Sequence, residues 1–190
     1  MYTTTYTLLI LLGVTFINGL PFADSNENFY ENAILNRGAP DCLVWYLTQG
    51  DPQELLAQTL KPPCHIPISF PKTLLGGWSV DPECDASKQP KTCDYHKGAY
   101  GCYRHAFSSS GPGAQACYDR SGQWIGDVWK GAGTVDAATP LGDFSQQTAH
   151  FLVDVAPYYS CCKITLFPKS ICNLYYEKRP PGQCENKPAV

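Results

Sequence analysis

Ten cysteines and four histidines hold most of the chemistry open to this 190-residue chain. Cys93 with His96 and Cys102 with His105 form two Cys-x2-His pairs, nine residues apart. Four ligands of that kind can surround a tetrahedral zinc ion. Asp81, Glu83 and Asp85 alternate, and calcium takes oxygen ligands, but no Gly-punctuated loop or further acids accompany them. A solvated turn is the simpler reading. For acyl transfer, His65, His96, His105 or His150 could serve as base, with Asp119 or Asp154 to orient it and Ser109 or Ser160 as nucleophile. Spacing favours none of these sets; His150 reads as an end-of-strand residue and His65 as a loop residue near a disulfide. There is no Gly-x-Ser-x-Gly elbow, His-Glu-x-x-His run or phosphate-cradling loop. The expectation is a non-enzyme with no catalytic residues, no resident metal and no cofactor.

The compartment decides what the cysteines do. Met1–Gly19 carries a short apolar run, Leu8 to Ile17, well below the roughly 20 residues that span a bilayer. Ile17 and Gly19 suit the positions three and one before a signal-peptidase cut, which predicts a mature start at Leu20, secretion, and no stable membrane insertion. All ten cysteines remain after that cut, and an even count in an oxidising compartment predicts up to five disulfides with no obligatory free thiol. Adjacent Cys161 and Cys162 must bond to different partners.

The elements that position these groups change character along the chain. Residues 20–40 read as a polar arm, with Phe29 and Tyr30 as a docking patch, and the compact domain is expected over 41–187. Asp41 can cap a short helix with Leu43, Val44 and Leu47 on its buried side, ended by Gly50. A second helix is expected to start at Asp51-Pro52, bury Leu55, Leu56 and Leu60, and stop at Pro62-Pro63. Beyond Cys64 the pattern predicts strands: Ala99–Tyr103, Gln115–Tyr118, then an Asp119–Gly122 type I turn and a returning strand Gln123–Trp129. Ser108–Gly113 reads as a loop and Lys130–Thr134 (KGAGT) as a flexible link. Ala149–Val155, Tyr158–Ile164 and Leu174–Tyr176 are further strand candidates. Helices first and a long β-rich remainder imply a small disulfide-rich α+β fold, mostly β, with short N-terminal helices.

A net charge of −3 argues against a nucleic-acid partner, since phosphate binding needs a basic face. The candidate partner surface is Trp124, Asp127, Trp129 and Lys130, in the returning strand and its exit. Alternation places the two tryptophans on opposite faces unless a bulge at Gly126 intervenes, one in the core and one exposed beside charge as an interface anchor; the alternative packs both inside. The tripeptides Ile125-Gly126-Asp127 and Leu141-Gly142-Asp143 are short adhesive-type matches of little weight.

The ordered motifs GCYRHAFSSSGPGAQACYD (101–119), KGAGT, and HFLVDVAPYYSCC (150–162) resemble the AMOP domain. So do the entry DCLVWYLTQGDPQELLAQTLKPPC (41–64) and the close RPPGQC (179–184). One departure is Ala116, where the family often carries the first of two cysteines. The resemblance implies an extracellular, adhesion-associated module without catalysis, whose partner is an extracellular protein or cell-surface receptor. The alternatives are a structural component of an extracellular coat or matrix and a secreted hydrolase.

Overall fold

The computed structural model describes residues 38–105, 111–140, 144–163 and 168–190. The leader over 1–19, nearly all of the arm over 20–40 with Phe29 and Tyr30, residues 108–110 of the 108–113 loop with Ser109, and the 141–143 tripeptide lie outside those residues.

Helix α1 spans Gly38–Thr48, so Asp41 sits inside its first turns and does not cap it. The expected buried side is also wrong: Leu43, Val44 and Leu47 are exposed. The inward face is set by Cys42, fully buried and bonded to Cys161, and by Trp45 three residues on, which stacks on Tyr175 at 5.4 Å between ring centroids. A covalent tether and an aromatic stack one turn apart fix the rotation of a short helix more firmly than three aliphatic side chains do. Helix α2, Pro52–Gln58, begins as expected: the Asp51 carboxylate accepts from the Gln53 N–H at 2.9 Å and Pro52 occupies the first turn. Its stripe is only partly realised, with Leu55 and Leu56 half-buried and Leu60 exposed.

Five antiparallel strands follow in chain order: β1 Thr73–Leu74, β2 Trp78–Val80, β3 Gly101–His105, β4 Gly113–Tyr118 and β5 Val135–Asp136. Cys102 faces Cys117 across β3 and β4, and the two are bonded. Trp78, Tyr103, Ala116 and Tyr118 form the centre of the core, with Trp124 packed against it. The Asp119–Gly122 turn is present: the Gly122 N–H donates to the Asp119 carbonyl at 3.0 Å and the Asp119 side chain accepts from Ser121. The returning strand is shorter than expected. Trp124 bridges to Tyr118 and the Ile125 N–H donates to the Cys117 carbonyl, and then the chain turns away into a 3-10 turn at Val128–Lys130. Asp127 causes this departure, because its carboxylate bonds the Trp129 N–H locally and so competes with a ladder.

Lys130–Thr134 is not a flexible link. Gly131 through Thr134 are buried, and the Thr134 carbonyl accepts from the Gln115 N–H at 2.8 Å. Gly131 has φ +94°, and a β-carbon on Gly133 would collide with the Gln115 carbonyl. The glycines are there for close backbone approach.

The C-terminal strand candidates are helical. Residues 144–163 run as α3 (Phe144–His150), a π-helical segment (Phe151–Val155), α4 (Ala156–Tyr158) and a second π-helical segment (Tyr159–Lys163). Helix α5, Pro168–Lys178, contains Leu174–Tyr176. Pro157 lies in this run, flanked by the wider π turns, which relieve the clash and missing N–H that a proline brings to an ordinary helix. Successive helical side chains diverge by about 100°. Cys161 can therefore reach α1 through Cys42 while Cys162 reaches α5 through Cys172. The other bridges are Cys64–Cys184, Cys84–Cys93 and Cys102–Cys117, and no free cysteine is present among the described residues. Cys93 and Cys102 are thus committed to sulfur, not to a Cys-x2-His metal set. The α+β, disulfide-rich expectation holds, with a meandering sheet and a helical layer of α1, α3, α4 and α5; the mostly-β part does not, because the C-terminal runs are helical and helix outweighs strand.

Candidate functional site: a buried charge cluster, a cleft and an aromatic face

Sheet and helices meet at charged side chains. Arg104 on β3 donates through Nε to Asp81 and through Nη1 to Asp136 on β5, both at 2.8 Å. Asp81 also accepts from the Gln115 amide and from the Glu83 N–H, and it is almost fully buried, not part of a solvated turn. From the helical side, Asp154 accepts from Arg179 Nε at 2.6 Å and from the N–H groups of Ala137 and Ala138 at 2.9 and 3.1 Å. His150 Nδ1 lies 2.9 Å from the Ala138 carbonyl and 3.2 Å from Asp154, so this nitrogen carries the proton. His150 is therefore a buried helical residue, not the end of a strand. A cavity of about 50 Å³, room for one or two waters, lies between Arg104, Gln115, Asp136, His150 and Asp154.

These groups shift one another. Burial pushes the Asp136 carboxyl up to about 6, against the pull of Arg104. Burial also opposes the Asp154 charge, but the His150 hydrogen bond and the Arg179 guanidinium outweigh it and hold Asp154 below the usual carboxylate range. Burial would lower His150; the Asp154 hydrogen bond and the Asp136 charge reverse this and raise it. Asp136, His150 and Asp154 bring ligand-type atoms within 4.8 Å of one another, yet Arg104 and Arg179 already supply the positive charge that a metal ion would. A histidine raised in the folded state contributes stability that is complete below its ordinary value of about 6.5 and is lost as pH rises through the folded value. The melting-temperature gap between wild type and His150→Gln should therefore be widest below about pH 6.5 and narrow as pH rises above it in a pH series of thermal melts.

The sequence-derived partner residues separate. Trp124 packs against the core, its ring beside Gly126. Asp127, Trp129 and Lys130 stay together: Asp127 caps the turn and lies 3.3 Å from Lys130 Nζ, while Trp129 is 45% exposed. Trp129 meets Tyr176 edge-on at 5.6 Å, and the Lys169 ammonium stands 5.9 Å over its ring. From there a chain of aromatic contacts continues through Tyr176, the buried Tyr175, Tyr158, Tyr95 and Tyr159, with neighbouring centroids 5.4–6.1 Å apart. Ile125 is half-buried against the Cys102–Cys117 region, and the Asp127 carboxylate is already engaged, so the Ile125–Asp127 tripeptide is a structural corner.

On the other side of Tyr95 and Tyr159 lies a cleft of about 880 Å³, lined by Glu83, Arg104, His150, Phe151 and Ser160 among others. Of the acyl-transfer sets, His150 and Asp154 come together, with Ser160 lining the same cleft. Asp119 instead holds its own turn, and His65 is exposed beside Cys64. His96 donates through Nδ1 to the Ala132 carbonyl at 2.8 Å, and burial pushes its pKa down to about 4. The His150–Asp154 pair was open to discovery as an i, i+4 spacing, had residues 150–162 been read as helix. Nothing in the spacing of Asp81, Arg104, Asp136 and Arg179 signals that they meet.

No helix among the described residues is long and apolar enough to cross a membrane. No solved structure matches this chain. A curated relative, Protein mesh of Bombyx mori, is 29% identical over 153 residues, covering 75% of this chain and 10% of that protein. The chain thus spans about a tenth of that relative's length. The AMOP domain profile matches residues 38–188, from the first described helix nearly to the C-terminus, and the chain belongs to the AMOP domain family.

Proposed function

We propose that this is a secreted, non-enzymatic AMOP protein that binds an extracellular protein or cell-surface receptor in adhesion, with Trp129 as the anchor. The observation that carries this reading is Trp129 itself: a large aromatic left 45% exposed yet held by Tyr176 and Lys169. Such a side chain has little entropy to lose on binding, and buried aromatic anchors carry most of an interface's energy. Five disulfides support an oxidising, extracellular setting. Asp127 and Lys130 beside the ring act on association rate and salt sensitivity.

In a titration of the purified protein on cells, Trp129→Ala should weaken binding by about tenfold or more, with secretion and melting temperature near wild type. Asp127→Ala should do less. Loss of secretion on Trp129→Ala would return the residue to the core, and unchanged binding would move the interface elsewhere.

A further inference from the structure

We propose that the cleft between Glu83, Tyr95, Phe151 and Tyr159 receives a basic side chain, lysine or arginine, from a partner polypeptide. This assignment goes beyond the Trp129 surface and does not depend on it. The cationic groups at the floor of the cleft, Arg104 and His150, are already engaged. Arg104 alone serves two carboxylates, Asp81 and Asp136, both at 2.8 Å. Glu83 lines the same cleft, is exposed, and among the described residues has no ion-pair or hydrogen-bond partner for its carboxylate. With His150 held toward its charged form by Asp154 and Asp136, the cations Arg104, Arg179 and His150 match the buried carboxylates Asp81, Asp136 and Asp154, and the Glu83 carboxylate is left over. His150, at the cleft's inner end, already donates to Asp154 and to the Ala138 carbonyl.

The walls have the chemistry that a cation prefers. Tyr95, Phe151 and Tyr159 line the cleft, and Phe151 and Tyr159 are 54% and 41% exposed. Aromatic rings beside unpaired negative charge attract an ammonium or guanidinium through ring quadrupole and Coulomb terms together. An acidic side chain would face Glu83 and the same rings without compensation. A cleft of about 880 Å³ accommodates a long side chain with its flanking backbone. An extended basic residue also lays its methylene stem on apolar surface, as Val155, Ala156 and Pro140 provide here.

The test titrates the full secreted chain, followed by amide NMR, with four capped Gly-Ser-X-Ser-Gly peptides in which X is arginine, lysine, citrulline or glutamate. The arginine and lysine peptides should shift Glu83, Tyr95, Phe151 and Tyr159 and bind more weakly as salt is added. Citrulline and glutamate should bind about tenfold more weakly or not at all. Glu83→Gln and Phe151→Ala, both at exposed positions, should each lower arginine-peptide affinity by about threefold or more. Trp129→Ala should leave that affinity unchanged. Shifts confined to other surfaces, equal response to citrulline and glutamate, or indifference to Glu83→Gln would each overturn the assignment. Shifts at the cleft that grow with protein concentration alone would assign it to a second copy of this chain and overturn the separate partner. A cell-binding signal lost with Trp129→Ala but no arginine-peptide shift would overturn the cleft while leaving the Trp129 reading in place.

Discussion

Asp154→Ala is expected to destabilise the folded domain by about 3–5 kcal/mol, because it leaves a buried arginine without its counter-charge. Arg179 is 2% exposed and Asp154 is 1% exposed, so water cannot replace either partner. The carboxylate also takes the N–H groups of Ala137 and Ala138, just after β5, and the His150 proton. One side chain therefore ties the end of the sheet, the 144–163 helical run and the exit of α5. Arg179 would keep its bonds to Gln49 and the Val153 carbonyl and its place over the Trp45 ring, so the loss is of charge compensation more than of contacts. For a domain of this size the melting temperature should fall by roughly 10 °C. Asp154→Asn, which keeps one acceptor, should lose less. A change under about 1 kcal/mol in denaturant unfolding would show that the cluster is not what joins the two layers.

The second large effect is covalent. The double change Cys42→Ala, Cys161→Ala opens a bridge between residues 119 apart in sequence, and removal of a native disulfide from a small secreted domain costs about 2–5 kcal/mol. Its local consequence follows from α1. Without the tether, the helix is held by non-covalent contacts of Trp45 and Tyr46: the Trp45–Tyr175 stack, the Trp45 Nε1 bond to the Val153 carbonyl, the Tyr46–Glu177 hydrogen bond, and Arg179 and Lys178 over the two rings. Trp45 fluorescence should shift toward that of a solvated indole, and hydrogen exchange should rise in Gly38–Thr48 more than in β3 and β4. Equal protection in α1 and the sheet would mean that packing, not the bridge, positions the helix.

The sheet half was legible because its signals are local. Asp119 and Gly122 mark a turn, Asp51-Pro52 marks a helix start, and Gly101–His105 and Gly113–Tyr118 lie within two residues of where strand residues point. The helical half misled because HFLVDVAPYYSCC carries β-branched and aromatic residues with a proline in the middle, all of which locally favour strand or break helix. Tertiary forces win there: Cys161 and Cys162 pull the run toward two helices, and Asp154 has to meet Arg179. Glycine misled in the KGAGT stretch for a different reason, since close approach and freedom call for the same residue. Of the proposed partner residues, Asp127, Trp129 and Lys130 lie together, whereas Trp124 joins the core. The cleft was not readable: it draws Glu83, Arg104 and Phe151 from three separate elements, and no short-range pattern links them.

The reading of this chain as an extracellular binding domain rests most directly on where a partner touches it. Proximity labelling on living cells with the purified chain, run in parallel for wild type, Trp129→Ala and Glu83→Gln, measures this in one experiment. The account predicts a defined set of labelled extracellular proteins with wild type, most of it lost with Trp129→Ala at equal protein concentration and equal melting temperature. The same set labelled equally by wild type and by Trp129→Ala would contradict it.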